Sequence, residues 1–179
     1  VARVELDVDG AATPVPELVG RPRPALVLVN DDDLAYAKIR LDEASLATAT
    51  EHLHGFADSL PRSLVWGAAW DMTRDGEWGA RDFARLVLGN IAHETDSSVV
   101  QTLLRQLVSA LDLYVAPEHR AETYAWAADR LWDLARAAEP GSDAQLQLTR
   151  VAAARSTSPA HLDAVAGLLD GSAPLPGLE

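Results

Sequence analysis

The sequence predicts a mostly helical fold, in which antiparallel helices stack as hairpins behind a short β-patterned segment. Two observations carry this expectation. After residue 42, apolar residues recur at spacings of three and four, the period of an amphipathic helix, and the breaks are brief turns of Pro, Gly, Asp and Ser. Before residue 42, apolar and polar residues alternate over short runs, the period of a half-buried strand. Hydrophobic residues make up 48% and charged residues 23% of the 179. That composition belongs to ordered globular chains, and the length suffices for a real core.

In the β-patterned part, Val4, Leu6 and Val8 alternate with Arg3, Glu5 and Asp7, so residues 1–8 are predicted as a strand. Asp9-Gly10 is a hairpin signal, because both residues tolerate positive φ. Residues 12–15 are the return strand, demoted to an edge by Pro14 and Pro16. Arg21-Pro22-Arg23-Pro24 is an extended linker. Residues 25–29 form a short buried strand, and 30–33 a polar turn. Residues 36–41 alternate again, with Tyr36, Lys38 and Arg40 opposite Ala37, Ile39 and Leu41. Four such strands are too few to close a sandwich, so they are expected to be the last strands of one.

The helical part opens with residues 43–59, where Leu46, Ala49, Leu53, Phe56 and Leu60 follow a helical spacing. Pro61 breaks this run and suits the first turn of the next helix, which continues to Arg74. Asp75-Gly76 and Gly79 end it. Residues 80–92 place Phe83, Leu86, Val87 and Ile91 on one face. A turn rich in capping residues follows at 95–98. The sharpest pattern comes next, with Val99, Val100, Leu103, Leu104, Leu107, Val108 and Leu111, and predicts a helix buried between neighbours. Pro117 opens a helix to about residue 138, stopped by Glu139-Pro140-Gly141-Ser142. Residues 145–155 form another helix, and Ser158-Pro159 caps a last one to Leu169, before a Pro/Gly hinge at 171–177. Short connections favour antiparallel neighbours, and without a strict repeat the expected architecture is a HEAT- or armadillo-like stack. The domains are expected at 1–42 (terminal strands of a small β-sandwich) and 43–179 (the first part of a helical domain). A start without Met and a stop after a Pro/Gly-rich stretch are read as cuts through a longer protein.

Composition excludes several functions. A net charge of −12 repels phosphate backbones, and the arginines are scattered among acids, so nucleic-acid binding is not expected. The chain has no cysteine, which rules out disulfides and thiolate metal sites. No apolar run approaches the roughly 20 residues of a membrane helix, and no signal peptide is visible, so a cytoplasmic location is expected.

No complete catalytic constellation is present. Asn30 with Asp31, Asp32 and Asp33 offers oxygens to a hard cation, but lacks the alternating order of a calcium loop and is read as a solvated turn. His93-Glu94 begins a zinc-peptidase motif, yet the second histidine is missing because Ser97 stands there; the pair is read as a helix end with its imidazole near the C-terminal dipole. His52 and His54 would diverge by about 200° on a helix. His119 and His161 have no evident carboxylate or nucleophile partner and are read as surface or capping residues. Trp66, Trp70, Trp126 and Trp132 are read as core or inter-helix packing. Trp78, in an Asp-Gly-Glu-Trp-Gly turn, is the aromatic expected to be partly exposed.

Four blocks carry a resemblance. They are Asn-Asp-Asp-Asp-Leu-Ala-Tyr-Ala-Lys-Ile-Arg-Leu-Asp at 30–42, Asp-Ser-Leu-Pro-Arg-Ser-Leu-Val-Trp-Gly-Ala-Ala-Trp-Asp-Met-Thr-Arg-Asp-Gly-Glu at 58–77, Glu-Thr-Asp-Ser-Ser-Val-Val-Gln at 94–101, and Ala-Glu-Pro-Gly-Ser-Asp at 138–143. In this order they resemble the C-terminal region of actinobacterial aminopeptidase N, a zinc metallopeptidase family of gluzincin type. The resemblance implies a catalytic domain ahead of this region. That domain carries Gly-x-Met-Glu-Asn for the substrate amine, and His-Glu-x-x-His with a downstream Glu for zinc. None of these motifs occurs here, so no catalytic, metal or substrate-binding residue is assigned to any position, and no cofactor is expected in this chain. The resemblance further implies a scaffold and lid that gates access to the parent's active site. Its partners would be the catalytic domain of the same chain and the parent's peptide substrates, with no nucleic acid and no membrane. The rival expectation is a free-standing helical-repeat module that binds proteins.

Overall fold

A computed structural model describes residues 2–156 and 158–178. Among these residues the regular structure is helical: α1 (Glu43–His52), α2 (Ser59–Arg74), α3 (Ala80–Asn90), α4 (Ser97–Ser109), α5 (Pro117–Ala137), α6 (Asp143–Arg155) and α7 (Pro159–Asp170). Six of the seven starts have a side-chain cap or a proline as local cause. Asp42, Asp58, Asp96, Ser142 and Ser158 accept hydrogen bonds from first-turn amides of α1, α2, α4, α6 and α7. Pro117 and Pro159 occupy first-turn positions whose N–H would have no partner. The long helix expected over 43–59 is shorter: α1 ends at His52 and tightens into a 3₁₀ turn, Leu53–Gly55. A similar turn, Ile91–His93, ends α3, and a π turn, Ala110–Tyr114, ends α4. Gly171, at φ 75°, closes α7 in the left-handed conformation.

The helices form two layers. α1, α3 and α5 lie side by side in one, and α2, α4 and α6 in the other. The core lies between them and is built from the predicted stripes. Val65, Phe83, Leu107 and Leu131 are sealed from solvent, and α4 contributes Val100, Leu103 and Leu104. α7 packs on α6 and reaches α5 through His161, whose ring lies 5.8 Å from that of Trp132. Its other face leaves Leu162 and Leu169 exposed. None of the helices described is long and apolar enough to cross a membrane.

The strands expected before residue 42 do not form: among the described residues no β-ladder is present, and Val1, the start of the first predicted strand, lies outside them. Residues 2–41 run as extended chain with one 3₁₀ turn, Pro16–Leu18. The physical reason is pairing. A strand exists only through a neighbour's N–H and C=O groups, an isolated hairpin is marginal, and Pro14 and Pro16 remove two donors. The turns survive without ladders. Gly10 has φ 66°, and Asn30 and Asp33 adopt positive φ in a turn closed by the Asp33 amide donating to the Asn30 carbonyl at 2.8 Å. The alternation at 36–41 survives in part: Ile39 and Leu41 enter the helical core, while Lys38 and Arg40 point outward. Residues 25–28 lie against α1, where Thr48 Oγ1 donates to the Ala25 carbonyl and the Val27 amide donates to Ser45 Oγ.

Candidate functional site

The turns of a two-layer stack fall on two opposite edges, and the polar side chains of the four sequence blocks gather there. On one edge, Lys38 and Arg40 from the extended segment reach the α2–α3 turn. Lys38 Nζ lies 2.9 Å from Asp75 Oδ2, and Arg40 pairs with Asp75 and Glu77. The hydrogen bond from Lys38, together with the charge of Arg40, holds the Asp75 carboxyl below its ordinary value. Further along that edge, Arg81 reaches Glu122 at 3.5 Å, and Arg155 donates to Asp112 in the π turn at 3.0 Å. The first and second blocks are therefore joined through charges.

On the other edge, the second block meets the third in a buried network. Arg62 projects from the first turn of α2 and makes a forked pair with Glu94, Nε to Oε1 at 3.0 Å and Nη2 to Oε2 at 3.2 Å. Its Nη1 donates to the carbonyls of Phe56, Ala57 and Asp58. Trp66, one turn on, donates Nε1 to the same Glu94 oxygen at 2.8 Å. The side chains of Arg62 and Glu94 are 9% and 4% exposed, so this pair is shielded from water and the α1–α2 turn is locked to the α3–α4 turn. Asn90 adds a second tie, its Nδ2 donating to the Thr50 carbonyl at 2.8 Å.

The α5–α6 turn is locked in the opposite direction, to the C-terminal tail. Gln145, 1% exposed, accepts from the Gly141 amide at 2.8 Å and donates to the Pro176 carbonyl at 3.0 Å. Between the two locked pairs lies a cleft of about 610 Å³. Ile91, Val100, Leu134, Ala138 and Leu148 line it with apolar surface, and Thr95, Ser97, Glu139, Ser142 and Asp143 with polar surface. The third and fourth blocks face each other across it.

The candidates singled out from sequence fare differently. The Asp31–Asp33 turn is occupied by protein: Arg3 pairs with Asp31 and, at 2.9 Å, with Asp32. The hydrogen bond to Asp31 raises the Arg3 guanidinium above its ordinary value. Glu94 is no zinc ligand in waiting, since Arg62 and Trp66 hold both its oxygens. His93 sits at a helix end as expected, stacked on His54 with centroids 4.6 Å apart, and His52 lies edge-on to His54 at 6.3 Å. Among the described residues, no three His, Asp or Glu side chains converge as metal ligands.

Two readings need correction. His161 is buried and partnered: Nε2 lies 3.2 Å from Asp129 Oδ1, beside Trp132. A single sequence does not reveal this pair, because its members lie on different helices, 32 positions apart. Trp126 is 40% exposed rather than packed inside, whereas Trp66 and Trp132 are core residues. The Arg62–Glu94 pair escaped sequence reasoning too. Its only trace was that both residues belong to the blocks that carry the resemblance.

Two comparisons with known proteins bear on the chain as a whole. The sequence profile of the ERAP1-like C-terminal domain matches residues 26–177. The aminopeptidase N of Streptomyces lividans is 55% identical over 177 residues, covering 98% of this chain and 20% of that protein. The chain thus spans about a fifth of the length of this relative.

Proposed function

Since the chain belongs to the ERAP1-like C-terminal domain family, and corresponds to the C-terminal region of an aminopeptidase N, we propose that it is the non-catalytic helical portion of such an enzyme. In this reading the parent is a zinc-dependent peptidase that removes N-terminal residues from peptides. The zinc and the catalytic groups belong to a domain outside this chain, and that domain is its principal partner. The portion described here serves as scaffold and lid, limiting which peptides reach the active site. The observation that carries the reading is the identity of 55% across nearly the whole chain to a named aminopeptidase N.

The structure supports this reading in two ways. The unpaired extended segment exposes Leu6, Val8, Val29, Leu34 and Tyr36, which suits strands completed by earlier strands of a β-sandwich ending near residue 42. Residues 43–179 are then the first part of the helical domain, and the open Leu162 and Leu169 face of α7 suits a further layer of helices. A cytoplasmic location goes with this reading.

The test is an N-terminal amino-acid amide assay with and without added zinc. The isolated chain should show no turnover in either condition. A longer protein that includes the preceding domains should cleave, and should lose activity on chelation. Zinc-dependent turnover by the isolated chain sinks the proposal, and an inactive longer protein favours the rival reading of a helical interaction module.

A further inference from the structure

We propose that the cleft between the α3–α4 and α5–α6 turns docks a lysine- or arginine-bearing segment of a separate polypeptide. The inference stands whether or not the parent is a peptidase. It starts from an asymmetry between neighbouring turns. The α1–α2 and α3–α4 turns are tied by Arg62 and Glu94, and the α5–α6 turn is tied to the tail by Gln145. Across the cleft the corresponding polar tie among the described residues is a single neutral one, Gln147 Nε2 donating to the Ser97 carbonyl at 3.2 Å. The gap of about 610 Å³ falls within the volume range of small-ligand sites, enough for one or two side chains of a docked segment.

Charge selects the occupant. Glu139 and Asp143 belong to the cleft wall, both are exposed, and neither is paired with a basic side chain among the described residues. Among the described residues, no lysine, arginine or histidine lines the cleft. The third acid, Glu94, is already neutralised by Arg62. α5 ends in the cleft wall, so its last carbonyls and the negative end of its dipole add to the two carboxylates. An anion would look to the N-termini of α4 and α6 instead. There Asp96 already accepts from Ser98 and Val99, and Ser142 from Gln145, so those amides are occupied.

Shape selects a long basic side chain over a bare cation. Leu134, Ala137 and Ala138 provide an apolar strip beside Glu139. The methylene stem of a lysine or arginine lies along such a strip while its head reaches the carboxylates. A flanking small apolar side chain fills the space over Ile91 and Leu148.

The test uses the 179-residue chain and the blocked peptide acetyl-Ala-Leu-Lys-Ala-Leu-amide, with binding followed by amide chemical shifts. The expected result is a saturable set of shifts centred on Ser97, Ala138 and Asp143, weakened by raising salt. The double substitution Glu139→Gln, Asp143→Asn should weaken binding roughly fivefold, with an unchanged melting temperature as the control for folding. The proposal is overturned if a norleucine peptide in place of the lysine one binds as tightly, or if a glutamate peptide binds better. Shifts mapping elsewhere, or no shift at millimolar peptide, overturn it equally. So do shifts at these amides that depend on protein concentration alone, which would identify a second copy as the occupant.

Discussion

Removing the Glu94 carboxylate tests the central lock of the stack. In Glu94→Ala, Arg62 keeps its three backbone acceptors at 2.7, 3.2 and 3.2 Å but loses its counter-charge in a site where its side chain is 9% exposed. Breaking a buried pair from one side costs about 3–5 kcal/mol, and the retained carbonyls argue for the lower half of that range. Trp66 Nε1 loses its acceptor as well, which adds about 1 kcal/mol. The expected loss is therefore about 4–5 kcal/mol, or a fall of roughly 8–20 °C in melting temperature for a chain of this size. Urea unfolding monitored by tryptophan fluorescence measures it, with an unchanged denaturant slope as the sign of an intact fold. Glu94→Gln keeps an acceptor for Trp66 and should lose roughly half as much. The double variant Arg62→Met, Glu94→Leu removes both charges together and should recover most of the loss. A Glu94→Ala loss below about 0.5 kcal/mol, or single losses that simply add in the double variant, would refute the lock.

Three further outcomes are expected. Asp75 has its carboxyl held down first by Lys38, with Arg40 adding to it; the associated stability is complete above the ordinary carboxylate value near 3.9 and is lost as pH falls through the lower folded value. Asp75→Asn should flatten that acid limb in a pH series of melting temperatures. In Gly177→Ala, the new Cβ would stand 2.0 Å from the Gly141 nitrogen at a φ of +91°, so the tail should detach, and hydrogen exchange should show the Gly141 amide losing protection. Leu107→Ala, at a sealed position, should cost about 2–5 kcal/mol, while Leu113→Ala, at 70% exposure, should stay within about 0.5 kcal/mol; equal effects in urea unfolding would contradict the placement of the core.

Sequence alone determined what depends on near neighbours along the chain. Asp42, Asp58, Asp96, Ser142 and Ser158 start helices because each cap bonds an amide two or three positions on. The helical stripes, from Leu46 to Leu111, mark the buried faces because that period is a local property of the backbone. The resemblance to aminopeptidase N was legible for a related reason, since its blocks contain the caps Asp42, Asp58, Asp96 and Ser142, where particular residues are required. Tertiary structure decided the rest. Strand pairing needs a partner, so alternation at residues 4–8 did not suffice for a strand, and at 39–41 it only chose which side chains entered the core. The ties between Arg62 and Glu94, Lys38 and Asp75, His161 and Asp129, and Gln145 and Pro176 span 31 to 37 positions. They join segments that meet only once the helices have stacked, and no local period records them. The cleft belongs to the same class, because it is the space left where two locked pairs of turns fail to meet.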